Sequence, residues 1–262
     1  MKKLRLPSEI VYLLSLVLIS LAVAMVTASD LGISMVVAPA YLLSLKVGFL
    51  SFGVAEYVIQ GLVFLIFCLL KRKVRLVYFG AFLTCVIYGG MLDLWRLVPL
   101  FDPSVTPVGS MGTPLRIVLF GCGMLLTSFS VALSFKTYLY PQVYDFFVKD
   151  IGGKFGNKRF LFKVGFDLTF LAVALVMSFA FFGEIRGIGV GTIIMAFLNG
   201  FIIGFFDRFF DKTLHVSPLF GKIEKIFAEK KEPAEKERGL GLAACESADD
   251  KESADINNPT TE

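Results

Sequence analysis

Glu56 and Gln60 stand four residues apart in an apolar run, Phe52 to Leu70, that carries no other charged side chain. Four residues is one helical turn, so both groups fall on one helix face. A carboxyl at the centre of a bilayer costs at least ~2.5–3.5 kcal/mol, which makes it a functional candidate. Asp167 lies in a second apolar run, one turn after Lys163. Two such acids, one near each end of a path, suit the passage of a proton or another cation. A plainer reading stands beside this one. Each acid is hydrated at an interface, or paired locally as Asp167 is with Lys163 at ordinary helical spacing. Asp93 and Arg96, three residues apart, read first as an ion pair that orders a helix end. Asn199 sits in the middle of an apolar run and needs a partner. A bond between helices, worth ~0.6 kcal/mol on average, is its plainer role. The candidate polar site is therefore Glu56, Gln60, Asp167, Asn199 and Asp93.

Catalytic chemistry finds no support. The chain has no Gly-x-Ser-x-Gly elbow, no His-Glu-x-x-His and no Walker lysine, and His215 is its only histidine. Serines and threonines in the apolar runs have no histidine to activate them. The four cysteines show no paired spacing, so no metal, cofactor or disulfide is assigned. Gly187-Ile-Gly-Val-Gly191 follows no strand and is a poor phosphate loop. Those glycines read as a flexible entry to the next helix, and Gly200-xxx-Gly204 reads as a site of close helix packing.

The elements that must position these groups are six apolar stretches, at about 10–29, 53–70, 76–97, 115–135, 161–182 and 189–207. Each is the length of a bilayer span, since ~20 residues cover a ~30 Å hydrocarbon core. Charged residues make up only 18% of the chain, below the roughly one quarter of a soluble domain. Lysine and arginine crowd alternate connections: Lys2, Lys3 and Arg5; Lys71 to Arg75; Lys136 to Lys163; Arg208 and Lys212. Short basic loops stay in the cytoplasm, so both termini are expected there. The net charge of +4 reads as topology and contact with anionic lipid, not as a nucleic-acid surface.

Two connections are too apolar for ordinary loops. Leu31–Leu45 carries Pro39, and Tyr138–Val148 carries Pro141. Both are too short to cross and read as re-entrant or interfacial segments, which persist only where protein or a wet cavity satisfies their backbone. Each half then runs span, proline-bearing segment, span, span. Gly90-Met-Leu-Asp93 matches Gly204-Phe-Phe-Asp207, Glu56 matches Asp167, and Val23-Ala24-Met25 matches Val131-Ala132-Leu133. Three spans per half reverse the second half, giving an inverted repeat with its site between halves.

With Asp30-Leu-Gly-Ile-Ser34 and Gly89-Gly90-Met-Leu-Asp93 in view, residues 10–210 resemble the YczE/YyaS/YitT group of bacterial integral membrane proteins. Such proteins often continue the first turn with proline, whereas here Met35 follows Ser34 and proline waits until Pro39. The resemblance implies a multi-pass protein of the bacterial cell membrane, with transport or export as the usual supposition.

The expected fold is thus an all-α integral membrane protein of six transmembrane helices in a 3+3 inverted repeat. Its membrane domain spans 1–212, with halves at about 8–105 and 112–212. A short amphipathic cytoplasmic helix is expected at 213–228, from Leu219, Phe220, Ile223, Ile226 and Phe227 at helical spacing. Residues 229–262 hold too little apolar surface to fold and read as a disordered tail. The expected function is transport of a small solute or ion, without enzymatic activity. The alternative is a membrane scaffold that recruits a cytoplasmic partner through its tail. The lipid bilayer, the solute and a second copy of the chain complete the expected partners.

Overall fold

Pro7 fixes an extended backbone just ahead of Ser8, and helix α1 (Ser8–Ser29) starts there. It stops where Asp30 turns left-handed at φ 51°. In the computed structural model, residues 4–71, 79–102, 105–106, 110–139, 142–152 and 159–218 are described. The basic run 72–75, Pro141, the latter part of the 213–228 segment and the whole 229–262 tail lie outside them.

The described chain is mostly helical. After α1 come α2 (Ala38–Lys46), α3 (Phe52–Lys71), α4 (Phe79–Trp95), α5 (Thr113–Phe135), α6 (Val143–Gly152), α7 (Arg159–Phe182) and α8 (Val190–Thr213). Five of these, α1, α3, α5, α7 and α8, are long and apolar enough to cross a membrane, which marks a multi-pass membrane protein. Helix α4 is apolar but shorter, and the expected start of its span, 76–78, lies outside the described residues.

Helices α1 and α5 form the centre. They approach closely because Gly123 has no side chain: a Cβ there would sit 2.7 Å from Val26 Cγ2 and 3.0 Å from the Ala22 carbonyl. Helix α4 lies on α1, where Trp95 Nε1 donates to Ser20 Oγ at 3.1 Å and the Tyr12 and Thr84 hydroxyls meet. Helix α8 lies on α5. Its contact face runs through Thr192, Met195, Asn199 and Phe210, with Phe129 of α5 edge-on to Phe206 and Phe210. Gly200 and Gly204 fall on another face and have nothing within 4 Å of a Cβ position. The close packing expected of that pair is not made among the described residues. Glycine serves that purpose instead between α3 and α4, where a Cβ on Gly53 would lie 2.2 Å from the Gly89 carbonyl oxygen.

The two short helices are placed against α7. Ala38 and Leu42 of α2 cluster with Ala174 and Met177, and Lys46 Nζ donates to the Phe181 carbonyl at 3.0 Å. So α2 starts beside the middle of α7 and runs toward its C-terminal end. Tyr144 of α6 meets Phe170, while Phe147 stacks on Phe166 and Phe162. So α6 also starts beside the middle of α7 and runs the other way.

The segment after α8 differs from expectation. Helix α8 continues to Thr213, and β2 (Leu214–Ser217) then pairs in parallel with β1 (Leu4–Pro7), Leu4 opposite Leu214. Alternation decides this. Leu214 and Val216 turn inward onto Val11, Leu133 and Phe210, while His215 and Ser217 stay exposed. An amphipathic helix beginning at 213 is excluded for these four residues.

Candidate functional site: a buried carboxyl between two helices

Glu56 is wholly buried, one turn into α3, and Gln60 one turn further on is buried too. Gln60 Nε2 donates to Glu56 Oε2 at 3.0 Å, as the one-turn spacing leads one to expect. The second donor to Oε2 comes from far along the chain. Tyr144, in the first turn of α6, gives its hydroxyl proton to Glu56 at 3.1 Å. Helix α6 can present it because Val143, Phe146 and Phe147 bury themselves against Phe64 and Phe67 of α3. The N-terminal end of α6 carries the positive end of its peptide dipoles, so its first turn suits a carboxylate. Helix α4 closes the site with Cys85 and Tyr88, both fully buried.

Two buried polar atoms of the site, Glu56 Oε1 and Gln60 Oε1, make no hydrogen bond among the described residues, nor does Gln142 Nε2, two residues before Tyr144. Buried polar atoms are nearly always partnered, and each exception calls for an explanation. No lysine, arginine or histidine forms an ion pair with Glu56 among the described residues. The site therefore offers two oxygens without a partner among the described residues, in a place walled off from water.

The remaining expected residues lie elsewhere. Asp167 pairs with Lys163 at 3.3 Å, its side chain 29% exposed, so it does not share the enclosure of Glu56. Asn199 Oδ1 accepts from Ser128 Oγ at 2.7 Å and joins α8 to α5. Asp93 does not pair with Arg96. Its carboxylate accepts from the Gly53 backbone N–H at 2.8 Å and from Ser51 Oγ at 2.5 Å, capping the free N–H groups at the start of α3. Arg96 lies over the Phe52 ring instead, 5.8 Å from its centre. The reason is geometric: a short acid at a helix end finds the open donors of the neighbouring helix before a long arginine three residues on. Asp93→Ala is expected to cost ~1 kcal/mol, read as a lower Tm, with Asp93→Asn recovering most of it.

Gly187, Gly189 and Gly191 are not a loose entry. They clasp the turn after α1. Gly191 N–H donates to the Leu31 carbonyl at 2.8 Å, and Ile33 N–H donates to the Gly187 carbonyl at 3.1 Å. Thr192 Oγ1 accepts from Ile33 N–H at 3.1 Å. A Cβ on Gly189 would lie 2.5 Å from the Leu31 oxygen, so the glycines permit two backbones to touch.

The sequence profile of a family of unknown function, DUF6198, matches residues 6–208. The chain belongs to that family. No curated protein and no solved structure matches it. The matched region holds all the helices up to the last turn of α8, and with them Glu56, Gln60, Gln142, Tyr144 and the glycine clasp. Tyr144 and Gln142 were not singled out from sequence. The one signal was that Tyr138–Val148 is aromatic and apolar where a loop should be polar.

Proposed function

We propose that this DUF6198 protein moves a small solute or ion across the membrane through a site at Glu56. The observation that carries this reading is a fully buried carboxyl that has no ion-pair partner and one oxygen without a hydrogen bond among the described residues. A purely structural group in that place would have been satisfied or replaced by an apolar one, because half-satisfied buried polarity is costly.

The architecture that supports it is a six-span inverted repeat, with α4 as the sixth span and both termini on the cytoplasmic side. Packings come in matched sets. Helices α1 and α4 pack as α5 and α8 do, α2 lies on α7 as α6 lies on α3, and α2 packs on α3 as α6 packs on α7. Helices α2 and α6 act as half-spans that enter from opposite faces and begin near the same depth. Broken helices of this kind form midplane sites in secondary transporters. The match is incomplete, since α7 and α8 lack the close packing of α3 on α4. That leaves α7 and α8 free to move against each other within the second half.

The test is flux in proteoliposomes, screened with a panel of amino acids, sugars, alkali cations and protons. Glu56→Gln is expected to lower the flux of the responding solute at least about tenfold, the effect of one lost charge-assisted contact. Asp167→Asn is expected to leave it within about twofold, as for a solvated pair. Full flux in Glu56→Gln overturns the role of the carboxyl.

A further inference from the structure

A second polar feature lies at the end of the molecule where α1 and α7 finish. A cavity of about 460 Å³ opens there between α2 and the glycine clasp. That volume falls in the ~300–1,000 Å³ range of small-molecule sites. Asp30, Tyr41 and Arg186 line it, with the backbone of Gly32, Gly187 and Gly189.

The charges are fixed and opposite. Arg116 Nη2 reaches Asp30 Oδ2 at 3.3 Å and the Asp30 carbonyl at 2.9 Å, while Nε donates to the Ser29 carbonyl at 2.7 Å. This clamp holds the Asp30 carboxylate in place through Oδ2, and Oδ1 has no hydrogen-bond partner among the described residues. Arg186 is also held. It pairs with Glu184 at 2.6 Å and lies over the Phe182 ring, 4.8 Å from its centre. Its second terminal nitrogen has no partner among the described residues. Asp30 and Arg186 line one cavity without bonding each other, as a site for a doubly charged guest requires. The Tyr41 ring supplies an aromatic wall, suited to the apolar part of a guest or to its cationic end.

We propose that this cavity binds a small zwitterion, an amino acid or amino-acid-like solute, with its ammonium on Asp30 and its carboxylate on Arg186. With Nε and Nη2 of Arg186 on Glu184, the remaining terminal nitrogen is left to give a charge-assisted hydrogen bond to the guest's carboxylate. Binding here stands apart from transport. A bound zwitterion with no flux leaves this proposal intact, and flux lost in Glu56→Gln with no zwitterion bound leaves the Glu56 reading intact.

Acidity gives a further handle. The charged and titratable groups facing Asp30 are Arg116 from α5, Arg186 from the loop before α8, and Tyr41 from α2. Burial raises the Asp30 carboxyl above its ordinary range, against the pull of both arginines. Its charge, and the ammonium contact with it, is therefore lost on acidification before an ordinary carboxylate would lose its own.

The test is calorimetry on the full chain in detergent micelles, titrated with glycine, β-alanine and γ-aminobutyrate, and with butylamine and butyrate as single-charge controls. At least one amino acid is expected to bind saturably and at least about tenfold more tightly than either control. Asp30→Asn and Arg186→Gln are each expected to weaken it about tenfold or more. Arg186 is half exposed, so that variant keeps its fold. No binding by any of the three amino acids overturns the proposal. So does a single-charge control that binds as well, or binding indifferent to both substitutions.

Discussion

Gly32→Ala is expected to lower stability by about 2–5 kcal/mol, the sum of a strained backbone and a steric overlap. Gly32 sits at φ 136°, where an L-residue is strained. A methyl group there would lie 2.4 Å from the Thr192 backbone nitrogen and 2.8 Å from its hydroxyl. The neighbour is backbone, at the head of α8, and cannot rotate away. The turn after α1 must then leave the clasp, with the loss of the Gly191–Leu31 and Ile33–Gly187 hydrogen bonds. Gly48→Ala is the control, because nothing lies within 4 Å of its Cβ position and its φ is ordinary. Thermal unfolding in detergent should show Gly32→Ala far below wild type and Gly48→Ala beside it. Equal midpoints for the two variants contradict the clasp.

Glu56 gives the second large effect, with activity and stability moving separately. Glu56→Gln keeps an acceptor oxygen for Tyr144 and Gln60 and removes an ionisable group from a buried place. It is expected to be as stable as wild type, or more stable by up to about 2 kcal/mol, while losing flux. Glu56→Leu removes the acceptor as well. Two buried donors, Tyr144 Oη–H and Gln60 Nε2–H, then lack their partner, at ~1–3 kcal/mol each. The order expected in Tm is Glu56→Gln at or above wild type, and Glu56→Leu clearly below. A structural carboxyl gives a different order, with both variants well below wild type.

Much of this was legible in the sequence, for a physical reason. Spans are local: each is a run of apolar residues with its own hydrogen bonds, and five of the six stretches reappear as span-length helices, four within two residues of their expected ends and α8 running six residues past its own. The Glu56–Gln60 contact is local too. What the sequence does not show is contact across the chain. The Tyr144 bond to Glu56 joins residues 88 apart, and the Thr192 bond to Ile33 joins residues 159 apart. Glycines illustrate the limit. Gly200 and Gly204 have the right spacing for packing and meet nothing, while Gly53, Gly89 and Gly123 carry the close approaches. Asp93 likewise had a visible partner in Arg96, but the start of α3 was the stronger one. Glu56 and Asp167, matched in the sequence, do not share an environment: Glu56 is wholly buried, and Asp167 is paired with Lys163 and partly exposed.

The central claim is that the site around Glu56 opens by turns to both sides of the membrane. It is tested most directly by replacing the native cysteines with serine or alanine and introducing Gln60→Cys. A small, charged, membrane-impermeant thiol reagent is then applied from one side of sealed vesicles, and separately from the other. Gln60 is wholly buried in the closed structure, so reaction reports opening. The account predicts labelling from each side, slowed from both by locking α6 to α3 with a cross-link. Labelling from neither side, or from one side only, contradicts it.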